Sequence, residues 1–256
     1  MKKVKAFELV APIEQFAPLA QQEKWDNCGF CIGDPQQEVS KALIALDCTE
    51  EVVDEAIACG ADIIITHHPL IFSGVKKISQ QNWLGRVICK AISNGIVIYA
   101  AHTNMDKAVG GVSGLMAQQL GLQDCEALLP DSFGIVGNME DGLDVEEFVA
   151  KVKEAFGVDV IRCSAPVKGK ISRVAVCGGS GRSFIPEAMA SGAQVYVTGD
   201  ITYHEFYTEK GFMVMDIGHY SSEYGIVGLF ANILSENFPT FAVSISKENN
   251  NPIYYY

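Results

Sequence analysis

Positive charge is scarce in this chain of 256 residues: 19 Lys and Arg face 31 Asp and Glu, a formal net charge of -12. Such a surface repels phosphate backbones and anionic lipid heads, which argues against nucleic-acid and membrane partners and suits divalent cations. Long apolar runs are missing too, and none approaches the ~18 residues of a membrane span. The amino-terminal MKKVKAFELVAPIEQF begins basic, but Glu8, Pro12 and Glu14 break any signal-peptide core. The expectation is a soluble protein of the cytoplasm. Eight cysteines, between Cys28 and Cys177, lack the rhythm of a disulfide framework, so they read as reduced, buried small hydrophobes. Cys28 and Cys31 form one CxxC, yet no second CxxC or neighbouring His pair completes a four-ligand zinc site. With 48% hydrophobic and 20% charged residues, extended disorder is excluded. The length suffices for one large domain or two ordinary ones.

What the chain does have is a copy of itself. EAIACGADIIIT (55–66) aligns with EAMASGAQVYVT (187–198) at an offset of 132, with six of twelve positions identical. The same offset sets VSKALIAL (39–46) over ISRVAVCG (171–178), and GIVIYAAH (95–102) matches GFMVMDIGH (211–219) across a one-residue gap. Each copy reads as strand, helix, strand, helix or turn, strand, helix. In the first copy KALIAL is a strand, Thr49 caps a helix carrying Glu50 and Glu51 in its first turn, and Gly60 ends it. ADIIIT and GIVIYA are buried strands, and the apolar spacing over 82–94 predicts an extra helix between them. The expected fold is therefore α/β, two related lobes with mixed, mostly parallel sheets. The lobes are expected over 1–125 and 126–256, intertwined enough to count as one domain. Residues 121–170 read as the least regular stretch, joining the two.

In layered α/β folds ligands gather beyond the carboxyl ends of the strands. There IIIT runs into His67 and His68, with Pro69 forcing the backbone out of the ladder, so that both imidazoles can serve one site. GIVIYA runs into His102, four residues before Asp106, and VMDIG into His219, four residues before Glu223. Imidazole with carboxylate suits Zn, Mn or Fe. This many donors exceeds one tetrahedral site and favours two ions bridged by a carboxylate. For Glu223 a helix capped by Ser221 or Ser222 gives a local rationale, with the carboxylate in its first turn. GGSGRS (178–183) follows a strand and reads either as an anion cradle of backbone amides or as a tight turn. Lys76 and Lys77 add positive charge after the His-His segment. Asp26-Asn27 reads as support for the site or as a turn, and Asp47 and Thr49 as support or as a helix cap. The tail PIYYY reads as docking on a neighbouring subunit or as frayed.

In family order, the motifs are WDNCGF (25–30), ALDCT (45–49), THHPLIF (66–72), AHTNMD (101–106), TGDITYH (198–204) and GHYSSE (218–223). Through them the chain resembles the type 2 GTP cyclohydrolase I homologues, the Nif-three-like dinuclear metal-binding proteins, in a compact form without an added middle domain. The resemblance implies two divalent metal ions held by His67, His68, Asp106, His219 and Glu223. His68 and Asp106 would hold one ion, His67 and His219 the other, and Glu223 would bridge them. His102 and His204 would lie nearby as supporting or proton-transfer groups, the candidate catalytic residues. The resemblance also implies a toroidal homohexamer and, from the family name, hydrolytic opening of the purine ring of GTP. Three functions stand at this point: a metal-dependent hydrolase of a nucleotide or related phosphorylated heterocycle, a non-catalytic metal-handling regulatory protein, and an interaction module stapled by metal.

Overall fold

The computed structural model describes residues 3–248 and 250–255; Tyr256, the end of the PIYYY tail, lies outside them. The chain forms two compact units, one running to Met105 and resuming at Ile226, the other spanning 106–225. The first stretch comprises β1 (Val4–Lys5), α1 (Ala6–Phe16), β2 (Gly29–Ile32), β3 (Glu38–Val39) and β4 (Lys41–Ala45). It continues through α2 (Glu50–Cys59), β5 (Ile63–Thr66), α3 (Trp83–Ser93), β6 (Val97–Ala100) and α4 (Thr103–Lys107). The second unit then holds α5 (Val112–Leu120), β7 (Gln123–Ala127), β8 (Ile135–Leu143), α6 (Val145–Phe156) and β9 (Arg162–Cys163). After them come β10 (Ile171–Val176), α7 (Ile185–Ala190), β11 (Val195–Thr198), β12 (Met213–Asp216) and α8 (His219–Glu223). α9 (Gly225–Asn237) and β13 (Ala242–Ile245) lead back into the first unit. The first unit is discontinuous in sequence, because β13 returns to pair with β4.

The repeat is visible in the strand register. In the first unit β4, β5 and β6 are parallel, with Ala42 opposite Ile63 and Ile63 opposite Val97. In the second, β10, β11 and β12 are parallel, with Val174 opposite Val195 and Val195 opposite Met213. Both sheets are mixed. The antiparallel members lie outside the repeat: β2 beside β6 in the five-stranded sheet, and β7, β8 and β9 in the six-stranded one. The stretch 121–170 is therefore far more regular than its sequence suggested. β7 is exposed along its whole length, which removes the apolar alternation by which a strand is recognised. α6 begins with a reciprocal cap between Asp144 and Glu147, so its acidic run is an ordinary helix start.

Local chemistry explains the first copy. Thr49 Oγ1 accepts from the Val52 amide, Glu50 and Glu51 sit in the first turn, and Gly60 ends α2 at φ 69°. Val52, Val53 and Ala56 pack with Leu43, Ile64 and Ile98 in the core of the first unit. The four residues of β5 are all buried, as expected of a strand with both faces covered. Burying each of its isoleucines contributes about 1.5–3 kcal/mol. The second unit has its own core, in which Phe148 and Val152 of α6 meet Val174, Val195 and Met215. No helix among the described residues is long and apolar enough to cross a membrane.

Candidate metal centre

In the first unit β5 ends at Thr66, and the backbone leaves the ladder where Pro69 predicted. The Thr66 hydroxyl donates to the His68 carbonyl at 2.8 Å, and the His68 amide donates to Leu46 O at 3.0 Å, which sets the bend. The consequence is that neighbouring side chains gather. The His67 and His68 rings lie 5.0 Å apart, and both approach His102 beyond β6, at 5.2 and 5.4 Å. One ligating atom from each of the three lies within 4.8 Å of the others.

Each of these imidazoles is oriented from behind. His67 Nδ1 donates to Ala101 O at 2.8 Å, His68 Nδ1 to Asp47 Oδ1 at 2.8 Å, and His102 Nδ1 to Asp26 Oδ1 at 2.9 Å. The partners are oxygens that accept only, so the proton sits on Nδ1 and the lone pair of the neutral ring on Nε2. That is the arrangement in which histidine binds a metal.

Asp26 is the most completely bonded of these supports. Its side chain is 0% exposed. Besides His102 it accepts from the Thr103 amide and hydroxyl, the Asn27 amide and the Cys28 thiol. Burial opposes its ionisation, but the hydrogen bonds from His102, Thr103 and Cys28 outweigh burial and hold the carboxyl well below the usual range. Cys28, pushed up to about 12 by burial and by its bond to Asp26, is a thiol and not a thiolate ligand. The Asn27 amide group donates to Ile71 O at 2.7 Å, tying WDNCGF to the segment that follows the two histidines.

In the second unit His219 and Glu223 stand one turn apart on α8, Nε2 to Oε2 3.0 Å. His219 Nδ1 donates to Asp200 Oδ2 at 2.7 Å, and Asp200 holds this position at φ 56°. Burial lowers the His219 pKa, but Glu223 and Asp200 overcome it and push the ring up to about 9. Glu223 is 3% exposed. Asp106, on α4, opens the second unit; after burial, its charge and that of Glu223 push the Cys177 thiol up to about 12.

Two local expectations are corrected. Ser221 and Ser222 do not cap the long helix, since Ser222 lies within α8, donates to His219 O at 2.7 Å and accepts from the Gly179 amide at 2.9 Å. Glu223 therefore ends α8 instead of starting α9. In the GGSGRS loop the amides of Gly179 and Gly181 are not offered to an anion, because Ser222 holds the first and Thr198 the second. Its glycines are there for closeness: a Cβ on Gly179 would lie 2.2 Å from Glu223 Oε1.

His204 sits in an exposed 3-10 turn, edge-on to Tyr203 at 5.3 Å. Lys76 and Lys77 are exposed. Asp200 was missed from sequence. Its signal was TGDITYH, but the role of that aspartate is set by a contact 19 residues away.

The donors presented are imidazole nitrogen and carboxylate oxygen, without thiolate, and the anchored Nδ1 atoms leave Nε2 as the ligating atom. In the first unit taken by itself, His67, His68 and His102 offer nitrogen donors that fit a divalent cation.

Comparison with known proteins places the whole chain in one family. The family model described as Duf34/NIF3 (NGG1p interacting factor 3) matches residues 4–252. A Clostridium perfringens protein named GTP cyclohydrolase 1 type 2 homolog is 34% identical, over 97% of this chain and 98% of its own. The crystal structure of a Bacillus cereus protein related to NIF3 superposes with a TM-score of 0.93 at 27% identity, covering 100% of both chains. Staphylococcus aureus protein SA1388 superposes with a TM-score of 0.89 at 31% identity, over 98% of this chain and 99% of its own. A match that runs from the first strand to the C-terminal segment, through all the strand-end histidines, leaves one assignment: the chain belongs to the Duf34/NIF3 family.

Proposed function

We propose that this protein binds two divalent cations through His67, His68, Asp106, His219 and Glu223 and hydrolyses a nucleotide or a related phosphorylated heterocycle. The observation that carries the reading is the common anchoring of His67, His68, His102 and His219, each donating Nδ1–H to a protein oxygen. Such anchoring is what metal-binding imidazoles use, and it orients each ring without any ion present. When bound, the cations supply Lewis-acid activation of water.

The chain's own residues do the rest. Asp47, Asp26 and Asp200 hold His68, His102 and His219, while Gly179 leaves room for the buried Glu223 carboxylate. Trp25 and Phe72, 57% and 52% exposed, stand 5.6 Å apart and meet His102 edge-on at 6.2 and 6.0 Å. Exposed aromatic faces at that place suit a planar heterocycle. A purine nucleotide is the heterocycle this reading favours, in keeping with a relative named GTP cyclohydrolase 1 type 2 homolog. His102 and His204 are the candidates for moving protons. Assembly as a toroidal homohexamer belongs to the same reading.

The test is metal analysis of purified protein together with a turnover screen of nucleotides, comparing wild type with His68→Ala and Glu223→Ala. Two ions per wild-type chain are expected, falling toward one in either variant, with turnover lost. Two tightly held ions persisting in Glu223→Ala would contradict its place among the ligands. Full metal loading with no turnover of any nucleotide would replace the hydrolase by a metal-handling protein.

A further inference from the structure

The second unit carries a cavity in which the strand-end donors take no part. Its volume is about 450 Å³, and its walls are Arg162, Cys163, Tyr203, Phe206 and Tyr207. We propose that this cavity binds a planar heterocycle of nucleobase size, held between aromatic faces and recognised through a ring carbonyl. The site is separate from the metal centre, and the inference stands independently of the hydrolase reading.

The aromatic wall is built locally. The Glu205 carboxylate accepts from the Thr202 amide at 2.7 Å and from the Thr202 hydroxyl, which closes one 3-10 turn over Tyr203–Phe206. Residues spaced three and four apart share a side of such a turn, so Tyr203, Phe206 and Tyr207 stand together. The hydroxyls of Tyr203 and Tyr207 meet at 2.9 Å, with their rings edge-on at 5.7 Å. Yet these two side chains are 69% and 74% exposed. Aromatic rings fixed against each other and left in water gain burial when a flat molecule covers them.

The polar wall is Arg162, on the edge strand β9. Its Nη2 donates to Ile201 O at 2.8 Å and to the Asp216 carboxylate, and its guanidinium lies 5.4 Å from the centre of the Phe206 ring. Asp216 is itself pinned. Its side chain is 3% exposed and accepts from the Ile201 and Gly218 amides at 3.0 and 2.9 Å. The guanidinium is therefore held in one place before any ligand arrives, with Nε and Nη1 left as donors.

Charge selects the occupant. Asp216 neutralises Arg162, and the chain carries a net charge of -12, so a polyphosphate gains little here. A guanidinium only donates, which matches a ring carbonyl and mismatches a ring amino group at the same place. The volume falls within the range of small-ligand pockets.

The experiment compares inosine with adenosine, which differ at one ring position as carbonyl against amine, on the metal-free full chain. Binding is read by isothermal titration and by alkylation of Cys163 in the cavity wall, with exposed Cys125 as internal reference in peptide mass spectrometry. Inosine is expected to bind about 10-fold more tightly than adenosine and to slow alkylation of Cys163 alone. The double variant Tyr203→Ala, Tyr207→Ala removes only exposed side chains and should weaken inosine about 10-fold or more. Arg162→Lys should shrink the preference over adenosine, and Trp25→Ala should leave the protection of Cys163 intact. Protection that persists in the tyrosine double variant overturns the inference, as does a wild-type Cys163 that inosine does not protect. Inosine binding that is lost in Trp25→Ala without any protection of Cys163 overturns it too, and leaves the reading of the first unit standing. A tenfold gain of inosine monophosphate over inosine would make phosphate the anchor and overturn recognition through the ring.

Discussion

The two units carry the same three parallel strands in the same register, yet the residues at their strand tips differ. Beyond β5 stand His67 and His68; at the matching positions beyond β11 stand Gly199 and Asp200. Beyond β4 stands Asp47, which orients His68; its counterpart beyond β10 is Gly179, which makes room for Glu223. A Cβ on Gly199 would meet Gly179 O and the His219 amide nitrogen at 2.8 Å each. One copy therefore donates imidazoles from the strand tip. The other clears that tip so that His219 and Glu223, on α8, can lie against it. The repeat supplies the frame, and small residues stand in one copy where the other has His67, His68 and Asp47.

Glycine substitution should break this comparison most strongly. Gly179→Ala combines φ +62° with a Cβ 2.2 Å from Glu223 Oε1, for an expected loss of roughly 2–4 kcal/mol together with metal binding. Gly60→Ala is the control, with φ +69° and no neighbour within 4 Å, and should cost about 1 kcal/mol. Chemical denaturation measures both, and equal losses would show that crowding is not what Gly179 relieves.

A smaller effect separates the units by pH. In the metal-free protein His219 is pushed up to about 9 by Glu223 and Asp200 against its burial, so an incoming cation must displace its proton. Metal affinity of the wild type should rise with pH and level off near 9. In Asp200→Asn, which removes one of the charges holding that proton, the rise should end at lower pH. Isothermal titration at several pH values reads this, and an unshifted profile would remove Asp200 from the account. Proton-linked stability runs the other way: what His219 gains from its partners is present below its unfolded pKa and lost as pH rises through about 9.

The smallest expected effect concerns the segment that returns to the first unit. Burial tends to raise the Glu55 pKa, but hydrogen bonds from Ser246 and from the Lys247 and Glu248 amides lower it below the usual value. A lowered carboxylate contributes stability that is present above its unfolded pKa and lost as pH falls through the folded one. Glu55→Gln should flatten acid unfolding at that end of the pH range while costing under about 1 kcal/mol at neutral pH, since the group is largely solvated. The equivalent residue of the other copy, Glu187, supplies the control substitution.

Much of the frame was legible in order of residues. The self-similarity at offset 132 anticipated the shared register, Thr49 and Gly60 bounded α2, and Pro69 marked where β5 releases the chain. β7 and β8 were not legible, because an exposed strand and a nine-residue strand containing Asn, Glu, Asp and Gly give no alternating apolar signal. The histidines declared themselves at strand ends, but their tautomers did not.

The sequence by itself determined the duplicated α/β frame and the kinds of donor at each strand tip, since periodicity, caps and breakers act over a few residues. Tertiary structure alone decided which oxygen holds each Nδ1, that His102 joins His67 and His68, and why Gly179 cannot carry a side chain. Those outcomes depend on groups as far apart in the chain as Asp26 and His102, or Gly179 and Glu223, and folding alone brings such pairs together.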